Sequence, residues 1–310
     1  MKIYTNIAEN ISVHNAVVTV GTFDGVHRGH QVIISRVNQI AREIEGESVI
    51  ITFFPHPQMI LRPDEDIFVL NTEEEKIKLL SLHKIDNLII IPFTPEFASI
   101  SYINFIKNML INKLHAKKLV IGHDHHFGKN REGMLLHLLD FGEKYNFEVE
   151  EIKVQKIDNI AVSSTKIRKA LINGDVKTAN SLLGYNYGIK GKVVFGNGIG
   201  KDIGFPTANI EIEDEHKLLP SFGAYAVEVE FENKKYNGML STGVRPTING
   251  IKRVTEVNIF NFDKNIYSKY LNVYFIERLR DEIKFKGLAD LKQQLTKDKE
   301  NALKILGDKK

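Results

Sequence analysis

The sequence predicts two folds in tandem. The first is an α/β unit, a doubly wound parallel sheet, over residues 1–184; the second is an all-β unit, a small antiparallel β-barrel with a terminal helix, over residues 185–310. Three observations support this reading. Apolar runs alternate with helical stretches from residue 16 to about residue 154; short alternating segments with turn residues between them take over from Lys190; and 310 residues with 43% hydrophobic content suffice for two packed cores.

Taken in order, Ala16–Val20 reads as a short buried strand. Gln31–Ile44 reads as a helix, because Val32, Ile33, Val37, Ile40 and Ile44 recur at helical spacing, and Gly21 and Gly25 relax the backbone in between. The strand texture returns at Val49–Phe54, Leu88–Pro92, Leu119–Gly122 and Val149–Val154, and the helical one at Thr72–His83, Ser101–Leu114 and Gly133–Tyr145. Strands that alternate with helices pair in parallel, with ligands beyond their carboxyl ends. A helical stretch from Thr165 to about Leu183 follows, and the boundary is placed at Leu183-Gly184-Tyr185. Beyond it, Lys190–Phe195, Ala208–Ile212, Ala224–Phe231, Tyr236–Ser241, Thr255–Ile259 and Leu271–Phe275 have the texture of antiparallel strands in a small barrel, ending in a helix from about Leu288 to Leu306.

Composition removes several function classes. Lysine and arginine number 42 against 39 aspartates and glutamates, a formal net charge of +3, so no global field draws the chain to nucleic acid or a membrane. The absence of cysteine excludes disulfides, thiolate zinc sites and a cysteine nucleophile. There is no 18-residue apolar run, and the first residues lack a signal-peptide core, so a cytoplasmic enzyme is expected.

The most informative stretch is Val20-Gly21-Thr22-Phe23-Asp24-Gly25-Val26-His27-Arg28-Gly29-His30, where a strand hands the chain to a helix N-terminus. Unpaired N–H groups and the helix dipole attract anions there, and His27 and His30, at i and i+3, can donate to phosphoryl oxygens. Donors of this kind are worth roughly 10²–10³ in rate each when aimed at charge developing in a transition state. Alone, the pair also fits two solvated histidines at a helix start. Ser163-Ser164-Thr165-Lys166-Ile167-Arg168 reads as a capped first turn with Arg168 on the face of Ser164, which is equally the look of an ordinary helix start. His56, between Pro55 and Pro57, is either a phosphate-facing donor or a structural loop residue. His123, Asp124, His125 and His126 crowd one short segment, too close in sequence to close a tetrahedral metal site by themselves.

In the second half, Gly196–Gly204 is glycine-rich yet fits neither a Walker A loop nor a dinucleotide fingerprint. An extended backbone at Pro206-Thr207-Ala208-Asn209 puts Thr207 and Asn209 on one face, where a hydroxyl and an amide oxygen can converge on a hard cation; a proline-led turn entering a strand explains the same residues. Glu256 sits in the β-branched strand Val254–Ile259, where most glutamates are simply solvated.

The whole string Gly-Thr-Phe-Asp-Gly-Val-His-Arg-Gly-His resembles the HxGH nucleotidyltransferase superfamily, in particular bacterial bifunctional riboflavin kinase/FAD synthetase. The resemblance continues through Thr52–Pro57, Gly122–Lys129, Ser163–Arg168, Gly204–Asn209 and Leu279–Phe285, in family order along nearly the whole chain. It implies two ATP-dependent reactions: the second half phosphorylates riboflavin to FMN, and the first adenylates FMN to FAD with release of pyrophosphate. It further implies that His27, His30 and Arg168 carry adenylyl transfer, that Gly21, Phe23, Gly29, His56, Ser164 and Thr165 surround ATP and its phosphates, and that Asp124 faces the flavin. In the kinase half, Gly198 and Lys201 are implied to approach ATP, Thr207 and Asn209 to hold Mg2+, Glu256 to act as base toward the ribityl hydroxyl, and Arg280 and Phe285 to contact flavin. Magnesium is implied at both sites. His123, His125 and Ser268 depart from the family pattern, Ser268 replacing the glycine of a usual Tyr-Gly.

Overall fold

The structure, a computed structural model, describes residues 1–5, 11–123, 135–157, 160–196, 198–247 and 250–307. The chain divides into two compact units, Met1–Ser164 and Thr165–Lys310.

In the first unit, β1 (Lys2–Tyr4), β2 (Val17–Val20), β3 (Ser48–Phe54), β4 (Asn87–Pro92), β5 (Lys118–Gly122) and β6 (Glu148–Ile152) form one parallel sheet in the order β1-β4-β3-β2-β5-β6. Every residue of β2, the first five of β3 and the first five of β4 are buried, as befits central parallel strands covered on both faces. From β2 the sheet grows through β3 and β4 on one side and through β5 and β6 on the other. The crevice at this switch, beyond the carboxyl ends of β2 and β5, is where sheets of this kind bind ligands.

Helix α1 (Arg28–Glu43) starts before the expected Gln31 because His27 caps it, and it buries Ile34, Val37, Ile40 and Ala41. Arg36 grips Glu150 of β6 with two hydrogen bonds, at 2.6 and 3.0 Å, and so fixes α1 across the sheet. After β3 come a single turn, α2 (Pro57–Leu61), and α3 (Glu73–Leu82), which opens with a capping box between Thr72 and Glu75. After β4, α4 (Pro95–Ala98) precedes α5 (Tyr102–Phe105), which runs into a π-helical segment, Ile106–Lys113, where the periodicity predicts one helix over Ser101–Leu114. Helix α6 (Leu135–Tyr145) leads to β6, and β7 (Lys156–Ile157) pairs with β8 (Ile160–Ala161). One core layer gathers Val18, Val20, Ile51 and Ile89 against Phe105, Ile106, Met109 and Leu110; the other gathers Ile50, Leu88 and Ile90 against Phe23, Val26, Ile34 and Leu80. Two residues of the histidine-bearing motif, Phe23 and Val26, are therefore core residues.

Helix α7 (Ser164–Ile172) begins at the division, and α8 (Val176–Leu183) follows. The single helix expected over Thr165–Leu183 is broken at Gly174, whose φ of +76° leaves the helical region, and Asp175 recaps the chain by accepting from Thr178 N at 3.0 Å. Gly184, where the composition changes, is the left-handed C-cap of α8, and α8 groups with the barrel.

The barrel consists of β9 (Gly188–Val194), β10 (Ala208–Glu211), β11 (Gly223–Phe231), β12 (Lys234–Thr247), β13 (Gly250–Ile259) and β14 (Tyr270–Arg280), with a short helix, α9 (Ile199–Asp202), between β9 and β10. The strands close in the order β10-β13-β12-β11-β14-β9, every neighbour antiparallel, and β9 returns to β10. Tyr187, Tyr225 and Phe275 are fully buried large side chains of this unit. Helix α10 (Leu288–Leu306) has the expected bounds and packs Ala302 against Ala226, Met239 and Phe260.

Candidate functional site

Gly21 ends β2 with its N–H on the Ile51 carbonyl at 3.0 Å, and the chain then turns sharply: Phe23, Gly25 and Val26 have φ of +47°, +85° and +35°. Inside this turn the Asp24 carboxylate is buried and accepts from Leu70 N at 2.9 Å and Asn71 N at 3.2 Å, and the Ser164 hydroxyl donates to the Asp24 carbonyl at 2.8 Å. The turn delivers His27 as the N-cap of α1, its Nδ1 accepting from His30 N at 3.3 Å. The two imidazoles stack at 3.6 Å with 12° between planes, and the Phe23 ring lies 5.0 Å from that of His30. A Cβ on Gly29 would stand 3.2 Å from the His27 ring, so glycine permits the stack to sit over the helix start.

This geometry assigns a tautomer. With Nδ1 accepting, the neutral form of His27 carries its proton on Nε2. His30 is held well below the ordinary histidine range, by burial first and then by His27 and the Lys76 ammonium, and its Nδ1 is enclosed without a hydrogen-bond partner. Because the folded pKa lies below the unfolded value of about 6.5, the unfolded chain takes up the proton first; the stability is fully present above that pH and is lost as pH falls toward the folded value. His30→Gln is therefore expected to flatten the acid loss of stability, read as urea midpoints at about pH 7.5 and about pH 5.5.

The other expected first-half residues fall as follows. His56 caps α2, its Nδ1 accepting from Gln58 N at 3.2 Å, and is nearly buried. Thr165 and Arg168 stand on α7, in the second unit. Asp124, His125 and His126 lie outside the described residues, and His123 is exposed with Nδ1 2.7 Å from a Glu151 oxygen. Among the described residues no group of three His, Cys, Asp or Glu could hold a metal ion. Sequence reasoning missed Lys76, a buried lysine on α3 whose pKa is lowered by burial against the opposing pull of Asp24 and Glu73.

In the barrel, a cavity of about 240 Å³ is lined by Gly198, Gly200, Thr207, Asn209, Ser241, Glu256, Asn258, Arg280, Glu282, Phe285 and Asp298, among others. Pairing of β10 with β13 sets Asn209 opposite Glu256, and the Thr207 hydroxyl donates to a Glu256 oxygen at 3.4 Å. Asn258 holds the preceding proline by donating to the Pro206 carbonyl at 2.6 Å. The three residues expected to hold a cation and act as base are thus brought together. Gly198, φ +72°, opens α9 at the cavity, whereas Lys201 is exposed and does not line it. Arg280 faces the cavity but is engaged by Asp298 of α10, with Nη2 to Oδ2 at 2.9 Å, and its guanidinium lies 5.7 Å from the Phe285 ring. Asp298 was missed. Its signal was an acid within the apolar stripe Leu291, Leu295 and Ala302, and it is 2% exposed. Ser268 has a φ of +63°, in the left-handed region that favours glycine.

A family model described as FAD synthetase matches residues 9–166, and one described as riboflavin kinase matches residues 183–306. The bifunctional riboflavin kinase/FMN adenylyltransferase of Buchnera aphidicola subsp. Schizaphis graminum is 39% identical over 288 residues, 92% of each chain. The chain belongs to the bifunctional riboflavin kinase/FMN adenylyltransferase family. The family member of Haemophilus influenzae is 38% identical over 94% of this chain and 95% of its own, and that of Escherichia coli K12 is 33% identical over 94% and 93%. A solved structure called macrolide-efflux protein, from Streptococcus pneumoniae, is 32% identical, covers 97% of both chains and superposes with a TM-score of 0.89. That name has no counterpart in the helices here: among the described residues, none is long and apolar enough to cross a membrane.

Proposed function

We infer that this enzyme phosphorylates riboflavin to FMN in the barrel cavity and adenylates FMN to FAD at the start of α1, using ATP in both steps, with residues 1–184 and 185–310 as the two catalytic parts. The observation that carries this reading is that each family match falls on a part of the chain holding its own candidate site. In the barrel, Glu256 orients the ribityl 5′-hydroxyl and takes its proton as the oxygen attacks the γ-phosphorus of ATP. The Thr207 hydroxyl and Asn209 amide oxygen, hard donors beside a carboxylate, fit Mg2+ and are the residues that would hold it. Magnesium bound there neutralises charge on the phosphate oxygens. Arg280 and Phe285 form the flavin-facing wall and Gly198 the nucleotide-facing loop, whereas Lys201, suggested by the motif resemblance, stands outside the cavity lining.

In the first unit, Gly21 and Gly29 let the Phe23 and His27 rings lie close against the backbone, and the N–H groups at the start of α1 face the ATP phosphates. His27 Nε2–H and His30 donate to oxygens of the reacting α-phosphate, with Phe23 packed behind His30. The attacking FMN phosphate is already ionised, so no general base is required. His56 and Ser164 supply further donors to ATP, and the roles of Thr165 and Arg168 toward ATP and of Asp124 toward flavin rest on the motif resemblance alone. Incubating the protein with riboflavin, ATP and magnesium, and resolving the flavins over time, should show FMN rising first and FAD following; absence of either product removes the corresponding half of the assignment.

A Cβ on Gly196 would collide with the Asn209 amide. Gly196→Ala is accordingly expected to displace Asn209 and slow FMN formation by about tenfold while sparing conversion of supplied FMN to FAD. A raised magnesium requirement would mark Asn209 as the group disturbed.

A further inference from the structure

Leu291, Leu295 and Asp298 recur at i, i+4 and i+7 along α10, and that face of the helix lines the barrel cavity. The leucines are what such a face carries; an acid that is 2% exposed is not, because a carboxylate leaves water only where other groups satisfy it. Its partner is Arg280, the last residue of β14, which lines the same cavity. Arg280 Nε donates to both Asp298 oxygens, at 3.1 and 3.0 Å, and Nη2 stands 2.9 Å from Oδ2. Gln294, one turn back on α10, donates to Asp298 Oδ1 at 2.8 Å, and Arg280 Nη1 donates to the Asp281 carbonyl at 2.9 Å.

These contacts fix the guanidinium and also offset its charge. An arginine that binds phosphate keeps its charge for the ligand, whereas one paired inside a cavity wall presents a planar surface and the N–H groups of Nη1 and Nη2 that its partners leave over. The Phe285 ring, 5.7 Å from the guanidinium, extends that surface. A wall of this kind suits an uncharged, flat heteroaromatic ring with carbonyl acceptors. Of the two substrates read into the cavity, riboflavin has such a ring; adenine is flat but carries no carbonyl.

We propose that Asp298 is a positioning residue of the kinase site that acts through Arg280, holding the guanidinium in the cavity wall and offsetting its charge so that the wall takes the neutral ring of riboflavin. The proposal rests on the riboflavin-phosphorylating reading above. An ion pair that only docked α10 on the barrel would act on stability and would not single out one substrate.

The experiment compares full-length Asp298→Asn, Arg280→Met and the double variant with the parent, reading riboflavin binding by flavin fluorescence and FMN formation by steady-state kinetics. Asparagine keeps the shape and removes the charge; it should weaken riboflavin binding and raise its KM by about tenfold, with kcat and KM for ATP changed by less than about twofold. In the Arg280→Met background the same substitution should alter riboflavin binding by less than about twofold, because a residue that acts through another has nothing left to act on. Unchanged riboflavin binding in Asp298→Asn, an equal rise in KM for ATP, or an undiminished effect in the Arg280→Met background overturns the proposal. Should Asp298→Asn fail to fold, Gln294→Met removes one hydrogen bond to the carboxylate and should raise KM for riboflavin by about threefold without moving that for ATP; no rise overturns the placement. A parent that binds riboflavin without forming FMN fails the functional reading alone, and the binding comparison still decides; a parent that binds no riboflavin overturns both.

Discussion

His30→Ala is expected to abolish FAD formation, with a loss of roughly 10³-fold or more, while riboflavin is still phosphorylated at the parent rate. The size follows from what the ring does. It stacks on His27 at 3.6 Å and packs near Phe23, so its removal takes away one donor and unsettles the other. A substitution that acts on two donors at once costs more than either alone. The check is a pair of assays on one preparation, one supplied with riboflavin and one with FMN. Parallel loss of both products in folded protein would show that the halves do not carry separate reactions.

The second large effect is expected at Glu256→Gln, which should lower FMN formation by about 10²–10⁴-fold and leave FAD synthesis from supplied FMN intact. Glutamine preserves shape and the neighbourhood of Thr207 and Asn209, so the cavity keeps its form while the proton acceptor is lost. Unchanged riboflavin phosphorylation would remove Glu256 from the chemistry and leave it as a strand residue that accepts from Thr207.

These expectations rest on parts of the molecule that were unequally legible in the sequence. Central strands read cleanly because burial on both faces leaves continuous apolar runs such as Val17–Val20 and Val49–Ile51. Strand β1 went unread: three residues at a sheet edge, none of them buried, carry no periodic signal. Of the barrel strands, β12 and β14 were found but drawn short, since they extend through polar residues such as Lys234 and Arg280 that only pairing reveals. The break at Gly174 was missed because a lone glycine in helical texture is ambiguous until its φ is known.

The candidate sites show the same division. His27, Thr207 and Asn209 were legible as chemistry-bearing types at informative spacings and Glu256 only through the motif resemblance, and β10–β13 pairing then supplies the meeting of the last three. Lys76 and Asp298 were not read, because both sit within helices whose other faces are ordinary; a charge becomes informative only when the fold is seen to bury it. Lys201 shows the converse, a residue of suggestive type that stands outside the cavity wall.

The order in which the barrel closes bears on how the protein is made. All strands of the parallel sheet lie before residue 153, so that sheet has its complete set of partners while the ribosome is still translating the rest. The barrel has no such freedom: its first strand, β9, pairs with its last, Gly188 lying opposite Tyr274. At about 5–20 residues per second, β9 waits several seconds for its partner, with its apolar residues uncovered on one side. A nascent barrel is thus exposed to chaperones and to mispairing until β14 is made, and translation speed across residues 188–280 bears on yield.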